Sequence, residues 1–135
     1  SGLSSFLPVV IFVVAIFLAF ATGTSWGTFG ILIPIVVSMF DPHDPIFLIA
    51  ISATLSGSVC GDHLSPISDT TIMSSTGAGC VHLDHVKSQL PYGLTVALVS
   101  SLAYIIAGFT HSFVISLAFG IIVILSLMFV LKKRA

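Results

Sequence analysis

The apolar residues of this chain fall in long blocks instead of alternating with polar ones. Phe6–Phe20 is the first block, and it breaks at Thr22-Gly-Thr-Ser-Trp-Gly-Thr-Phe-Gly30. Ile31–Phe40 follows at once and ends in Asp41-Pro-His-Asp-Pro45, whose prolines and aspartates predict a water-exposed turn. Ile46–Leu55 comes next, before the polar stretch Ser58–Cys80. Val81–Gln89, with His82, Asp84, His85 and Lys87, reads as an interfacial or aqueous segment. Leu94–Phe109 and Phe113–Leu131 close the chain, and the last is long enough to span, since about 20 apolar residues cross a ~30 Å hydrocarbon core. The pattern predicts an all-α integral membrane fold. Its elements are a helical hairpin or broken helix over 5–40 with its tip at 22–30, a broken helix over 46–79 with its loop at 61–71, and transmembrane helices over 91–109 and 112–131.

Composition points the same way. Of 135 residues, 56% are hydrophobic and 7% charged, against about 25% charged in soluble domains. So few charges cannot cover a surface facing water. The net charge is −1 and the basic run is confined to Lys132, Lys133 and Arg134, which excludes nucleic acid as a partner. Cys60 and Cys80 sit among apolar or small residues and read as small buried side chains rather than a disulfide or metal pair. The chain opens Ser-Gly-Leu, and Phe6–Phe20 has neither a basic flank nor a small-residue cleavage site. It is therefore expected to be a piece of a longer protein, not to begin with a signal peptide. The positive-inside rule places the C-terminus and Lys87 in the cytoplasm of a multi-pass protein, with Gly108–Ser112 and Asp41–Pro45 outside. A hairpin over 5–40 would leave Ser1 outside as well; a continuous kinked span would put it in the cytoplasm.

The two polar interruptions share one grammar: an apolar helix, a Gly- and hydroxyl-rich break, then another helical piece. In lipid an unpaired backbone group costs several kcal/mol, so such breaks persist only when buried in protein or lining a wet cavity. Gly23-x-x-x-Gly27 and Gly57-x-x-x-Gly61 also match the small-residue motif of closely packed membrane helices. The neighbours favour a functional break. Pro66 opposes a continuous helix, and Ser65, Ser68, Thr70, Thr71, Ser74, Ser75 and Thr76 supply more hydroxyls than packing needs. Asp62 and Asp69 are carboxylates in a chain with no Glu, far in sequence from its Lys and Arg residues. A carboxylate at membrane depth marks a functional site by default, whereas a surface loop in water would make both ordinary. Carboxylate, hydroxyl and freed carbonyl oxygens form a hard ligand set suited to a hard cation, and a carboxyl group can take a proton instead.

Gly61-Asp-His-Leu-Ser-Pro-Ile-Ser-Asp-Thr-Thr71, continued by Met73-Ser-Ser-Thr-Gly-Ala-Gly-Cys80 and His85-Val-Lys-Ser-Gln-Leu-Pro-Tyr92, resembles the NhaC-type sodium/proton antiporter family, and Thr22-Gly-Thr-Ser-Trp-Gly-Thr28 matches another stretch of it. The resemblance runs from about Ala21 to the end. It implies membership of the ion-transporter superfamily, in which two inverted repeats, each with a re-entrant hairpin and a broken helix, move as an elevator. This chain would be one such repeat half. The superfamily's Ser-Asn-Thr signature is matched loosely by Ser68-Asp69-Thr70, with an added titratable charge.

The expected activity is secondary antiport of Na⁺ against H⁺ in the cell membrane, without enzymatic chemistry and with no cofactor beyond the transported ions. Na⁺ would be held by Asp62, Asp69, Ser68 and Thr70. Ser65, Thr71, Thr24, Ser25 and Thr28 would add oxygen ligands, His63 a proton relay, and Trp26 a gate. A structural histidine and an interfacial or core tryptophan are the plainer readings of the last two. The expected partners are the lipid bilayer, Na⁺ and H⁺ or an organic anion, the N-terminal repeat of the same transporter, and a second copy in a homodimer. Exchange of an organic acid or amino acid (malate/lactate-like antiport), an ion channel and a non-transporting membrane subunit are the competing classes.

Overall fold

The computed structural model describes residues 4–134. A 3₁₀ turn, Ser4–Phe6, leads into α1 (Leu7–Thr22), followed by α2 (Ser25–Met39), α3 (Pro45–Leu64), α4 (Asp69–Gly77), α5 (His82–Thr110) and α6 (Phe113–Arg134). There is no strand among the described residues. Ser4–Thr22, Pro45–Leu64, His82–Thr110 and Phe113–Lys132 are long and apolar enough to cross a membrane, and α2 is a shorter apolar helix.

The ends of these helices follow from local chemistry. α1 stops at Gly23, which takes the left-handed conformation (φ 68°) and donates its N–H to Ala19 O at 2.8 Å. Thr24 is extended and caps α2, its Oγ1 accepting from the Gly27 N–H at 3.3 Å. α3 opens on an aspartate cap with proline behind it: Asp44 Oδ1 accepts from the Ile46 N–H at 2.9 Å, and Pro45 fills a position whose N–H has no helical partner.

The direction of each helix can be read from its contacts. Gly57 lies against the Phe12 carbonyl and Ala15, Gly61 against the Ile16 carbonyl and Ala19, and Ser65 bonds the Phe20 carbonyl. Residue numbers rise together along both helices, so α1 and α3 are parallel. A parallel neighbour two helices on requires a return path, which α2 supplies, and the chain therefore reverses at Gly23–Thr24. α5 runs antiparallel to both: Tyr104 Oη bonds Ser52 Oγ at 3.0 Å and Ser56 Oγ at 2.6 Å, and its ring lies 5.0 Å from that of Phe12, while Gly93 meets Leu64. α6 returns along α5, with Ser116 Oγ donating to Ala103 O at 2.7 Å, and is exposed along most of its length. One end of the bundle thus carries Ser4, the Asp41–Pro45 turn and the α5–α6 turn. The other carries the reversal, the α3–α4 break, α4, Lys87 and Lys132.

Three boundaries differ from the sequence pattern. Both breaks are narrower, Gly23–Thr24 and Ser65–Ser68, because hydroxyl residues cap and continue helices as readily as they interrupt them. The helix expected from residue 91 starts at His82 and runs through Pro91. Val81 is extended at its N-cap and the His82 ring is tied to two neighbouring segments, which anchors this polar first turn. Proline inside a long membrane helix is tolerated where neighbouring groups satisfy the freed carbonyl.

The two GxxxG motifs also diverge. A Cβ on Gly57 or Gly61 would overlap backbone carbonyls of α1, whereas Gly23 forms the reversal and Gly27 meets only Thr24, the cap of its own helix. Helix propensity gains about 1 kcal/mol from Gly→Ala, but overlap with rigid backbone costs about 1–3 kcal/mol or more per site. Gly57→Ala and Gly61→Ala are thus expected to lower the melting temperature of the detergent-solubilised full-length protein, Gly61 the more strongly. Gly30→Ala, with open space around it, should leave the melting temperature unchanged or slightly raised.

Candidate ion-binding site

The two polar interruptions meet in space. A Cβ on Gly23 would lie 2.9 Å from the Ile67 carbonyl oxygen, so the reversal sits directly on the α3–α4 break. Ser65, fully buried, donates its Oγ hydrogen to Phe20 O at 2.7 Å. Phe20 lies in the last turn of α1, where carbonyls have no later N–H to accept. Ser65 therefore caps another helix while breaking its own. Its Oγ also accepts the Ile67 N–H at 3.3 Å.

Asp62 is only 5% exposed, and its Oδ1 is buried without a hydrogen-bond partner among the described residues. Expected in the unwound loop, it occupies the last helical turn of α3 instead. Thr54 and Ser58 precede it at four-residue spacing, both fully buried, so the three form one polar stripe. The two hydroxyls bond backward along the helix, Thr54 Oγ1 to Ala50 O at 2.9 Å and Ser58 Oγ to Thr54 O at 2.7 Å. With Gly57 and Gly61 facing α1 and Ser52 and Ser56 bonding α5, this stripe lies on a different flank of α3, which also packs against α2.

The remaining candidates are distributed around this point. Ser68, also buried, shares a hydrogen bond with Thr70 Oγ1 at 2.8 Å, and Thr71 Oγ1 donates to His63 O at 3.4 Å. Asp69 is exposed in the first turn of α4, and its Oδ1 accepts the Thr70 N–H at 2.7 Å. Thr28 is buried, donates to Thr24 O at 2.8 Å, and lies 3.2 Å from Thr22 Oγ1; Ser25 is half-buried. His63 is exposed, its Nδ1 3.0 Å from Val59 O. Trp26 is 79% exposed, its ring 5.3 Å from that of Phe29. No hydrogen bond joins Asp62 to Asp69 among the described residues. A cleft of about 670 Å³ lies between α3, α5 and α6, and another of about 720 Å³ along α1, α3 and α5, and Asp62 lines neither.

Sequence reasoning passed over two groups, Gln89 and His82. Gln89 Nε2 donates to His63 O at 2.7 Å, and the His82 ring lies between Pro66 O and Ser75 Oγ. Both sit in the segment read as aqueous, and only their contacts give them a role.

Four helices long and apolar enough to cross a membrane define a multi-pass membrane protein, and it buries a carboxylate beside a helix break. The chain belongs to the Na⁺/H⁺ antiporter family, whose model matches residues 3–109. It is 52% identical, over 96% of its length, to an uncharacterized protein of Haemophilus influenzae, of which the match covers 25%. It is 31% identical over 83% of its length to an uncharacterized Na⁺/H⁺ antiporter of the same organism, again covering 25% of that protein. It is 34% identical over 67% of its length to the malate-2H⁺/Na⁺-lactate antiporter of Bacillus subtilis, covering 19%. The chain thus spans about a quarter of the length of the curated relatives it matches. No solved structure matches it.

Ser65→Ala removes the one hydroxyl that, among the described residues, reaches Phe20 O. Losing that part-buried bond costs about 1 kcal/mol or more, so thermal unfolding of the purified full-length protein should shift downward by a few degrees. Ser74→Ala, whose exposed hydroxyl bonds only within its own helix, should not shift it.

Proposed function

We propose that the full-length protein is a secondary antiporter that exchanges Na⁺ for H⁺ across the cytoplasmic membrane, and that Asp62 is the group binding each in turn. The observation that carries this reading is the buried Oδ1 without a hydrogen-bond partner among the described residues. An isolated carboxylate at membrane depth costs about 3 kcal/mol or more, and either a cation or a proton removes that cost. Two ligands that neutralise one carboxylate compete for it, and competition at a single site is the minimum requirement for antiport. Oxygen ligands for Na⁺ are at hand in Ser68 and Thr70 of the break, with Ser65, Thr71, Thr24, Ser25 and Thr28 around it. Asp69, exposed and held by the local Thr70 N–H, serves the approach of cations more than their binding.

In this proposal the chain is one repeat half of an elevator-type transporter and supplies one wall of the site. The rest of the full-length protein supplies the other. Lys87 and Lys132 lie at the same end of the bundle as the break, which the positive-inside rule assigns to the cytoplasm together with the C-terminus. A second reading, exchange of an organic acid coupled to these ions, draws on the malate-2H⁺/Na⁺-lactate antiporter relative. Asp62 lines neither of the two clefts, and the lone buried carboxylate oxygen is matched by a single cation or proton, which favours the simple ion.

Na⁺-driven proton flux in inside-out vesicles holding the full-length protein tests the assignment. Asp62→Asn is expected to abolish the flux, and Asp69→Asn to reduce it by no more than a few-fold. Wild-type flux in Asp62→Asn would sink the proposal. Uptake of labelled malate or lactate that requires Asp62 would move it to the second reading.

A further inference from the structure

The α3–α4 break has one feature that the ion site does not use: an imidazole that ties three segments together. His82, the first residue of α5, is half-buried and places Nε2 2.7 Å from Pro66 O, in the middle of the break. Its Nδ1 lies 3.0 Å from Ser75 Oγ on α4. Pro66 is enclosed by residues already fixed to the hairpin: Ser65 bonds Phe20 O, and Ile67 touches Gly23.

A carbonyl oxygen can only accept, so the short contact to Pro66 requires a proton on Nε2. Nδ1 lies beside the buried Ser75 hydroxyl, whose single hydrogen points either to Ile72 O, 2.9 Å away, or to Nδ1. The ring thus meets groups of two different segments at its two nitrogens. This is the arrangement that gives a side chain one orientation, and through it fixes the segments it joins.

From this geometry we infer that His82 is a positioning residue for the ion site. It clamps the Ser65–Ser68 loop to α4 and the start of α5, and so sets where the break's oxygens stand relative to Asp62. The inference that these oxygens serve Na⁺ rests on the proposed antiport; the clamp itself does not. A loop of four residues between two short caps has few bonds of its own. Ser68 N donates to Ser65 O only at 3.4 Å. The His82 bond at 2.7 Å reaches the loop from α5, as the Ser65 bond to Phe20 O ties it to α1, so removing it should loosen the loop on the α5 side.

The test compares His82→Ala, His82→Gln and Ser75→Ala in the full-length protein by two readouts. Hydrogen–deuterium exchange over residues 66–77 reports the clamp, and the Na⁺ concentration for half-maximal flux reports its effect on the site. His82→Ala is expected to speed exchange about tenfold, the consequence of one lost hydrogen bond near 1.4 kcal/mol, and to raise the half-saturating Na⁺ several-fold with little change in maximal rate. His82→Gln keeps a terminal N–H donor at nearly the same reach, and should restore both towards wild type. Ser75→Ala should speed exchange in 69–77 more than in 66–68. If His82→Ala fails to fold, His82→Phe, which also lacks the donor, takes its place. Unchanged exchange in the folded variant that lacks the donor overturns the clamp, and so does its unchanged Na⁺ dependence in a protein that exchanges Na⁺ for H⁺. A wild-type protein without such flux refutes the antiport reading alone, while the exchange rates still decide the clamp.

Discussion

Backbone contact between α1 and α3 is the constraint on which the rest depends. Gly57 and Gly61 let the Phe12 and Ile16 carbonyls of α1 approach closer than any side chain would allow. In lipid there is no hydrophobic drive between helices, so this close van der Waals contact is a principal source of association. The pairing also sets the axial register of the two helices. With that register, the last turn of α1 comes level with the end of α3, and Ser65 reaches Phe20 O. One turn further on, Gly23 meets Ile67. A shift of a single turn would separate the two breaks and leave the Phe20 carbonyl unpaired.

The polar groups of the site are arranged by the same register. α3 shows glycines to α1 and Ser52 and Ser56 to Tyr104 of α5, and it buries the Thr54–Ser58–Asp62 stripe on a further face. The serines and threonine satisfy themselves on their own helix, which costs little. Asp62 does not, and its buried Oδ1 has no hydrogen-bond partner among the described residues, which is why the proposed function rests on it. The hydroxyls of the break and of the hairpin are bonded to protein atoms, most of them locally, and Ser65 ties one break to the other. Ser65 serves twice, since it gives its proton to Phe20 O and accepts from Ile67 N.

Much of the architecture could be read along the chain. Blocks apolar on every side meant helices in lipid, and Asp41–Pro45 meant a turn in water, because neither pattern has another stable solution in a bilayer. The residues of the two breaks, and the family they resemble, were legible too: glycine, proline and hydroxyl side chains in an apolar chain are costly unless used. Reading the breaks' exact limits was harder. Ser25 and Asp69 begin helices and Asp62 ends one, since these side chains serve at helix ends as well as in loops.

Which carboxylate is buried was decided only in three dimensions. Asp62 and Asp69 are alike in sequence context, seven residues apart in one motif, and only the packed structure buries the first at the end of α3 while leaving the second exposed at the start of α4. The reversal at Gly23–Thr24 is a similar case. A left-handed glycine ends a helix in a hairpin or in a kinked span, and the parallel register of α1 and α3 selects the hairpin. His82 and Gln89 lie in a stretch whose composition says only that it is polar, and their roles come from distant carbonyls at Pro66 and His63. The sequence by itself therefore determined which groups are too expensive to place in a membrane without a use. Tertiary structure decided which of them face one another, because in a helical bundle that depends on register and rotation about the helix axis, and small residues permit more than one register until the backbones actually meet.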